Sequence, residues 1–170
     1  PESVTPQTNA QLALGQWHPA VLGRSSLSVT LVEAADLEQL EQMRLVAERT
    51  FGRSSPISAL VRTRLEGEYT RSDELVKALR VIEEKLAIAE SQDDEGMGSY
   101  WTESARSSLA LHWVLLDKYA NAEVEYRKAL AIAQARKSHS VENIQMDLAD
   151  AIARQGRHAE AEGLFDAAIE

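Results

Sequence analysis

Cysteine is absent from the 170-residue sequence, and proline and glycine are scarce, at 4 and 8 residues. Without cysteine the chain has no disulfides, no thiolate catalysis and no cysteine-ligated metal site. The low proline and glycine content argues against long disordered linkers. No apolar run approaches the roughly 20 residues that a membrane-spanning helix needs. We therefore predict no membrane insertion.

Aromatic residues make up only 5% of the chain, although 44% of its residues are hydrophobic. The apolar content is therefore mostly Ala, Leu, Val and Ile, and Ala and Leu are strong helix formers. The charge balance is 18 Lys and Arg against 27 Asp and Glu, a formal net charge of -9. Nucleic-acid binding usually needs a basic surface, so we predict no nucleic-acid partner for this domain.

A local concentration of basic residues between Arg44 and Arg80 interrupts this acidic character. Glutamates and aspartates are interspersed with these residues throughout the stretch. The interpretation we favour is a set of solvated helix faces whose charges pair with one another. The alternative is a groove for an acidic peptide.

Signatures of catalysis and of metal binding are missing. The four histidines form no HExxH pair, and no serine lies in a GxSxG motif. The carboxylates of Asp93, Asp94 and Glu95 are adjacent, whereas a calcium loop needs them at alternating positions. We predict no catalytic residue, no cofactor and no metal site.

The sequence contains internal repeats. Residues 119–130 read YANAEVEYRKAL and residues 158–169 read HAEAEGLFDAAI, an offset of 39 residues. The tetrapeptide LAIA occurs at 86–89 and again at 130–133, an offset of 44 residues. Such repeats indicate one supersecondary unit that is used several times and must stack on its neighbours to bury its apolar face.

Each unit is predicted to form two helices. In the last unit, Ile144, Leu148 and Ile152 have helical spacing in a helix predicted over 141–155, which Gly156 would end. In the second unit, Pro56 suits a first helical turn and Ser72 is the predicted N-cap of the return helix.

The first unit is the least regular, with predicted helices over 19–35 and 36–51. Leu27, Val29 and Leu31 alternate with polar residues, which is typical of a strand. We nevertheless favour a helix, because a lone strand in a helical stack would have no partner. The predicted organisation is a tail or remnant helix over 1–17 and a repeat domain over 18–170, divided into 18–54, 55–98, 99–138 and 139–170.

These residues resemble the tetratricopeptide repeat family. The last unit matches its pattern with Leu148-Ala149, Gly156, His158, Ala161, Phe165 and Ala168-Ile169; the unit before it matches with Leu109-Ala110, Trp113, Tyr119, Ala122, Tyr126 and Ala129-Leu130. Asp117 stands where the family has its turn glycine. The spacing near 40 resembles the longer variant known from kinesin light chains. The resemblance implies an all-α, right-handed α-solenoid of about four antiparallel helix pairs.

The resemblance also implies a concave groove lined by the first helices of successive units, which would hold a protein or peptide ligand. The family's groove positions fall on Leu60, Thr63, Gly67, Arg71, Ser104, Ser107, Leu111, Val114, Asn143, Met146, Asp150 and Arg154. The surface they predict is mixed, with apolar side chains separated by polar ones. It lacks the Lys and Asn clamp that the family uses on terminal carboxylates, which disfavours binding of a chaperone tail.

The functional hypothesis is a protein- or peptide-binding scaffold, the interaction or sensor part of a larger bacterial regulatory or signalling protein. We expect further sequence before Pro1 and after Glu170, and a cytoplasmic location, with a periplasmic domain of a membrane-anchored regulator as the alternative. The second hypothesis is a homo-oligomerisation module that forms a homodimer through the ends of the stack. An enzyme is the remote third, since no convergent set of titratable groups is evident.

Overall fold

The computed structural model describes residues 32–92 and 99–169, without the side chain of Ile169. Helices dominate these residues and none of them forms a β-strand, which confirms the predicted all-α class. Seven helices have both ends within the described ranges: α1 Leu37–Phe51, α2 Pro56–Arg71, α3 Leu75–Ser91, α4 Tyr100–Leu115, α5 Tyr119–Arg136, α6 Val141–Ala153 and α7 His158–Ile169. The predicted tail, the start of the first predicted helix and the strand-like alternation at Leu27–Leu31 lie outside the described residues.

The chain divides into two compact units, Pro1–Glu74 and Leu75–Glu170. The described part of unit 1 contains α1 and α2, and that of unit 2 contains α3 to α7. This division falls between the two helices of the second predicted repeat. The predicted repeat boundaries therefore stay a prediction.

Local side-chain caps explain where several helices begin. The side chain of Asp36 accepts a hydrogen bond from Gln39 N at 2.9 Å, and Gln39 Oε1 accepts one from Asp36 N at 3.0 Å, which completes a capping box at α1. Ser55 caps α2, and Pro56 occupies the first turn of that helix, as predicted for the proline. Ser99 caps α4 in the same way, through Thr102 N.

The turns inside the repeats share one backbone feature. Asp73, Asp117 and Gly156 have φ angles of 61°, 57° and 80°, and their spacings of 44 and 39 residues equal the repeat offsets read from the sequence. Asp117 therefore takes the left-handed conformation for which the repeat pattern has glycine. Helix α6, which precedes the turn at Gly156, ends at Ala153 rather than at the predicted Gln155, and Arg154 is its C-cap.

The prediction that Ser72 caps α3 is wrong. Ser72 is the C-cap of α2, where its N–H donates to Glu68 O, and α3 begins only at Leu75. The turn needs two further residues because Asp73 is left-handed and Glu74 N donates back to Tyr69 O at 2.8 Å. These bonds satisfy the last carbonyls of α2 before the chain reverses.

In unit 1, α1 and α2 bury Leu40, Met43, Ala47, Val61 and Leu65. The guanidinium of Arg62 is also buried, at 2% exposure. Its Nε donates to Glu48 Oε1 at 3.2 Å, and its Nη2 donates to the carbonyl of Arg53. A buried cation needs such partners, so this side chain fixes α2 against the end of α1.

Unit 2 contains two clusters of buried apolar side chains. The larger one draws on α4 to α7, and its members are Ala110, Ala122, Tyr126, Ala129, Ala133, Ile144, Leu148, Ala149, Ala151, Ile152 and Ala161. The smaller one joins α3 to α4 through Leu79, Ile82 and Leu109. Trp113 packs against both clusters. The many alanines allow helices to approach closely, and the aromatic side chains fill the remaining space.

Candidate partner-binding surface

Helices α4 and α6 are the first helices of two successive repeats in unit 2, and both contribute to the larger buried cluster. Ala110 of α4 belongs to the same buried cluster as Ile144 and Leu148 of α6. Near the start of α4, Glu103 Oε1 accepts hydrogen bonds from Ser138 Oγ at 3.3 Å and from Ser140 Oγ, just before α6 begins. Because each turn reverses the chain, α4 and α6 run in the same direction.

The outward face of these two helices defines what we call the α4–α6 surface. Its exposed residues are Ser104, Leu111, Leu115, Asn143, Met146, Asp147, Asp150 and Arg154. On α6 they recur at intervals of three and four residues, which places them on one face of the helix.

Three large apolar side chains project from this surface. Leu111 is 48% exposed, Leu115 is 47% exposed and Met146 is 44% exposed. Single exposed apolar residues are ordinary, but exposed apolar side chains that group together can anchor a ligand. Of the predicted groove residues in unit 2, Ser107 and Val114 are only half-buried, and Val114 packs against the larger cluster.

The polar part of the surface is acidic. Asp150 accepts a hydrogen bond from Arg154 Nε at 2.7 Å, and the Arg154 guanidinium lies 5.7 Å from the centre of the Tyr119 ring. Asp147, one helical turn from Asp150, forms no ion pair within the described part of the chain. Although Asp147 is exposed overall, partial desolvation raises the pKa of its carboxyl, and the charge of Asp150 raises it further.

The same two carboxylates affect the pKa of the Tyr126 hydroxyl, which is buried. Tyr126 belongs to α5 and is 2% exposed. Burial raises the pKa of Tyr126, and the negative charges of Asp147 and Asp150 raise it further. The charges of both carboxylates therefore act on a buried phenol.

The predicted groove residues of unit 1 all belong to α2. Leu60 is half-buried, whereas Thr63, Gly67 and Arg71 are exposed. Arg71 pairs with Glu68, which also accepts from Arg64 at 2.7 Å. Within unit 1, Arg64 and Arg71 of the basic stretch thus pair with a nearby glutamate. This agrees with the interpretation of the stretch as helix faces whose charges pair with one another.

Sequence reasoning missed two features of unit 2. Glu103 is 3% exposed. Its burial could not be predicted from the sequence, because glutamate is usually solvent-exposed. Tyr100 and Trp101 form an exposed edge-to-face pair 5.3 Å apart, with Arg136 lying 5.9 Å from the Tyr100 ring centre. Trp101 is 69% exposed, the largest value among the exposed large hydrophobic residues described.

Over residues 32–92 and 99–169, no group of three or more His, Cys, Asp or Glu side chains is arranged to hold a metal ion. None of the helices described has both the length and the apolar character needed to cross a membrane.

The fold defined by these helix pairs is that of tetratricopeptide-like solenoids. The structure is similar to that of BtubC (BKLC) from P. vanneervenii, with a TM-score of 0.73 and 17% identity over 95% of this chain and 70% of that one. It is also similar to a putative kinesin light chain from Podosopora anserina with nearly identical TPR-like repeats, with a TM-score of 0.67 and 17% identity over 96% of this chain and 73% of that one.

A third similar structure is MamA AMB-1, with a TM-score of 0.51 and 18% identity over 94% of this chain and 93% of that one. No family model and no curated protein sequence matches the chain. The likeness to kinesin-light-chain-like repeats confirms the resemblance at the level of the fold. Solenoids of this kind present extended binding surfaces and are in general scaffolds rather than catalysts.

Proposed function

We propose that this chain is a protein-interaction scaffold that binds a protein or peptide segment on the α4–α6 surface. The observation that carries the proposal is the exposure of Leu111 and Met146 on the first helices of two successive repeats. Their cluster-facing neighbours, such as Leu148 and Ala149, are fully buried, so the helices are held in place without help from the exposed side chains. A surface that is already folded and that exposes apolar side chains suits the binding of an amphipathic or extended segment.

The finer proposal is that the scaffold serves as the interaction or sensor part of a larger bacterial regulatory or signalling protein. Its support is the repeat architecture, which presents a surface without supplying chemistry of its own. A cytoplasmic location fits this role, and a periplasmic domain of a membrane-anchored regulator is the alternative.

Peptide display tests the proposal. A random peptide library is selected on the wild-type chain, and the affinities of the recovered peptides are measured for Leu111→Glu and Met146→Glu. Burying a carboxylate in an apolar contact is costly, so we expect each substitution to weaken binding at least tenfold. Val124→Glu is the matched control, since Val124 is 50% exposed on α5. Peptides that bind all three variants equally would refute the proposed surface.

A homodimer is the second candidate, and one comparison inside the chain favours it. Phe165 of α7 is 37% exposed, whereas Tyr126, 39 residues earlier, is 2% exposed because α6 covers it. A second copy could cover Phe165 in the same way. Light scattering over a concentration series would detect the dimer, and Phe165→Glu should abolish it. A mass that stays monomeric at all concentrations would eliminate this candidate.

A further inference from the structure

The charges on the α4–α6 surface restrict what kind of segment can bind there. On α4 its exposed side chains are uncharged. It carries Asp147 and Asp150 on α6 and Arg154 at the C-cap of that helix. Arg154 is already engaged, through the hydrogen bond to Asp150 and the contact with the Tyr119 ring. The surface therefore carries two carboxylates against one cation, Arg154, and that cation is paired with Asp150.

The two carboxylates also disfavour each other. Asp147 and Asp150 are three residues apart on one helix face, where like charges are destabilising. The raised pKa of Asp147 has partial desolvation and the charge of Asp150 as its causes. A cation from outside, placed beside both carboxylates, would relieve this repulsion, whereas a third carboxylate would increase it.

Apolar side chains accompany this acidic position on the same surface. Met146 directly precedes Asp147 on α6, and Leu111 and Leu115 are separated by one turn of α4. A ligand that satisfies both parts needs a Lys or Arg within one helical turn of apolar residues, which is the pattern of a basic amphipathic segment. The net charge of -9 would also draw such a segment toward the chain.

We propose that the α4–α6 surface selects a basic amphipathic segment of another protein, whose Lys or Arg contacts Asp147 and Asp150 while its apolar side chains contact Leu111, Leu115 and Met146. This inference rests on the proposed function and adds the chemistry of the ligand. It excludes acidic segments, which would bring a carboxylate next to Asp147.

The probe is a display library of random 16-residue peptides, selected on the wild-type chain at low ionic strength. We expect the recovered peptides to carry Lys or Arg within four residues of Leu, Ile, Phe or Met. Their affinity should fall about fivefold for Asp147→Asn, the factor expected when one partly exposed ion pair is lost. It should also fall as salt is raised, because added ions screen exposed charges.

Asp166→Asn is the matched control, because Asp166 is an exposed aspartate on α7 and is not one of the residues of this surface. It should leave the affinities unchanged. A charge swap makes the test directional: Asp147→Lys should abolish binding of a recovered peptide, and changing the basic residue of that peptide to Glu should restore it. Circular dichroism of each variant verifies that the helices are retained.

The outcomes separate the two proposals. Peptides that need Leu111 and Met146 but carry no basic residue and ignore Asp147→Asn would overturn the ligand chemistry and leave the scaffold function standing. Recovered peptides indifferent to Leu111→Glu and Met146→Glu, or a failure to recover any binding peptide, would overturn both. Charge swaps that restore binding would support both.

Discussion

At the scale of single residues, backbone conformation decides which substitutions the turns accept. Gly156 has a φ of 80° in the turn between α6 and α7, whereas Gly163 lies inside α7. A Cβ added at either position would meet no atom within 4 Å. Space is therefore the same at both glycines, and only the conformation differs.

We expect Gly156→Ala and Gly163→Ala to change stability in opposite directions. Gly156→Ala should lower the free energy of unfolding by about 1 kcal/mol, because an L-residue is strained at positive φ. Gly163→Ala should raise it by roughly 0.5–1 kcal/mol, because alanine is the better helix former. Chemical denaturation monitored by circular dichroism measures both. Equal shifts in the same direction would contradict the conformational argument.

At the scale of elements, a charged network ties α5 to α7. Glu123 of α5 accepts hydrogen bonds from Gln155 Nε2 at 2.9 Å, Arg157 Nη1 at 2.6 Å and Arg127 Nε at 3.0 Å. Partial burial alone would raise the pKa of Glu123, but these donors outweigh it and hold the pKa below its usual value. Asp147 of α6 has the opposite shift, because nothing compensates its desolvation.

The two shifts predict opposite pH effects. Glu123 has a lowered pKa in the folded state, so it stabilises the fold above its unfolded pKa, and this contribution is lost as pH falls through the folded value. Glu123→Gln should therefore cost roughly 1–2 kcal/mol at pH 7 and progressively less below about pH 4.5.

Asp147→Asn is the comparison. The raised pKa of Asp147 means that its ionised form is penalised in the fold once pH exceeds the folded value. Asp147→Asn should stabilise at pH 7, and its effect should vanish in acid, where the wild-type carboxyl is protonated too. Melting temperatures of the three proteins between pH 3 and 7 measure both trends. Parallel pH curves would contradict the assigned shifts.

The sequence predicted elements better than their ends. The helical spacing of Ile144, Leu148 and Ile152 gave α6 its correct start at Val141, because a buried face leaves a periodic trace. The assignment of Ser72 as an N-cap was wrong. Serine is favoured at N-caps in general, but the turn is set by the left-handed conformation of Asp73, which has no recognisable pattern in the sequence. Backbone conformation at a non-glycine residue is decided by the closing hydrogen bonds of the turn.

Side-chain exposure at the candidate surface agrees with the sequence in part. The repeat pattern assigned Leu111 and Met146 to a concave groove; both side chains are exposed, and the groove itself stays a prediction. It did not single out Asp147, because the importance of that carboxylate comes from its desolvation and from Asp150, which depend on three-dimensional placement. Nor could it foresee the burial of Glu103, whose Oε1 accepts hydrogen bonds from Ser138 and Ser140, residues far along the chain.

At the scale of the whole molecule, unit 2 has the features of an independently folding piece. Its helices α3 to α7 carry two buried clusters that draw only on residues of this unit. Each repeat buries its apolar face against the next, so stability accumulates along the stack.

A fragment over residues 75–170 is therefore expected to be helical and to unfold in one cooperative transition. Circular dichroism and a thermal scan of this fragment are the measurement. Leu148→Ala, which creates a cavity at a fully buried position, should lower the unfolding free energy of the fragment by about 2–5 kcal/mol. A broad, non-cooperative melt of the parent fragment would show that the two clusters are insufficient without the preceding residues.

The position of Trp113 has a spectroscopic consequence. Its indole packs against both clusters of unit 2, whereas Trp101 is largely exposed. With Trp17 and Trp101 replaced by phenylalanine, the only remaining indole would report on the joint between α3 and the repeats that follow it. Its emission should shift to longer wavelength once that joint admits water, even while the helices persist. The chain therefore carries its own fluorescent probe for fraying of the stack, distinct from loss of helix.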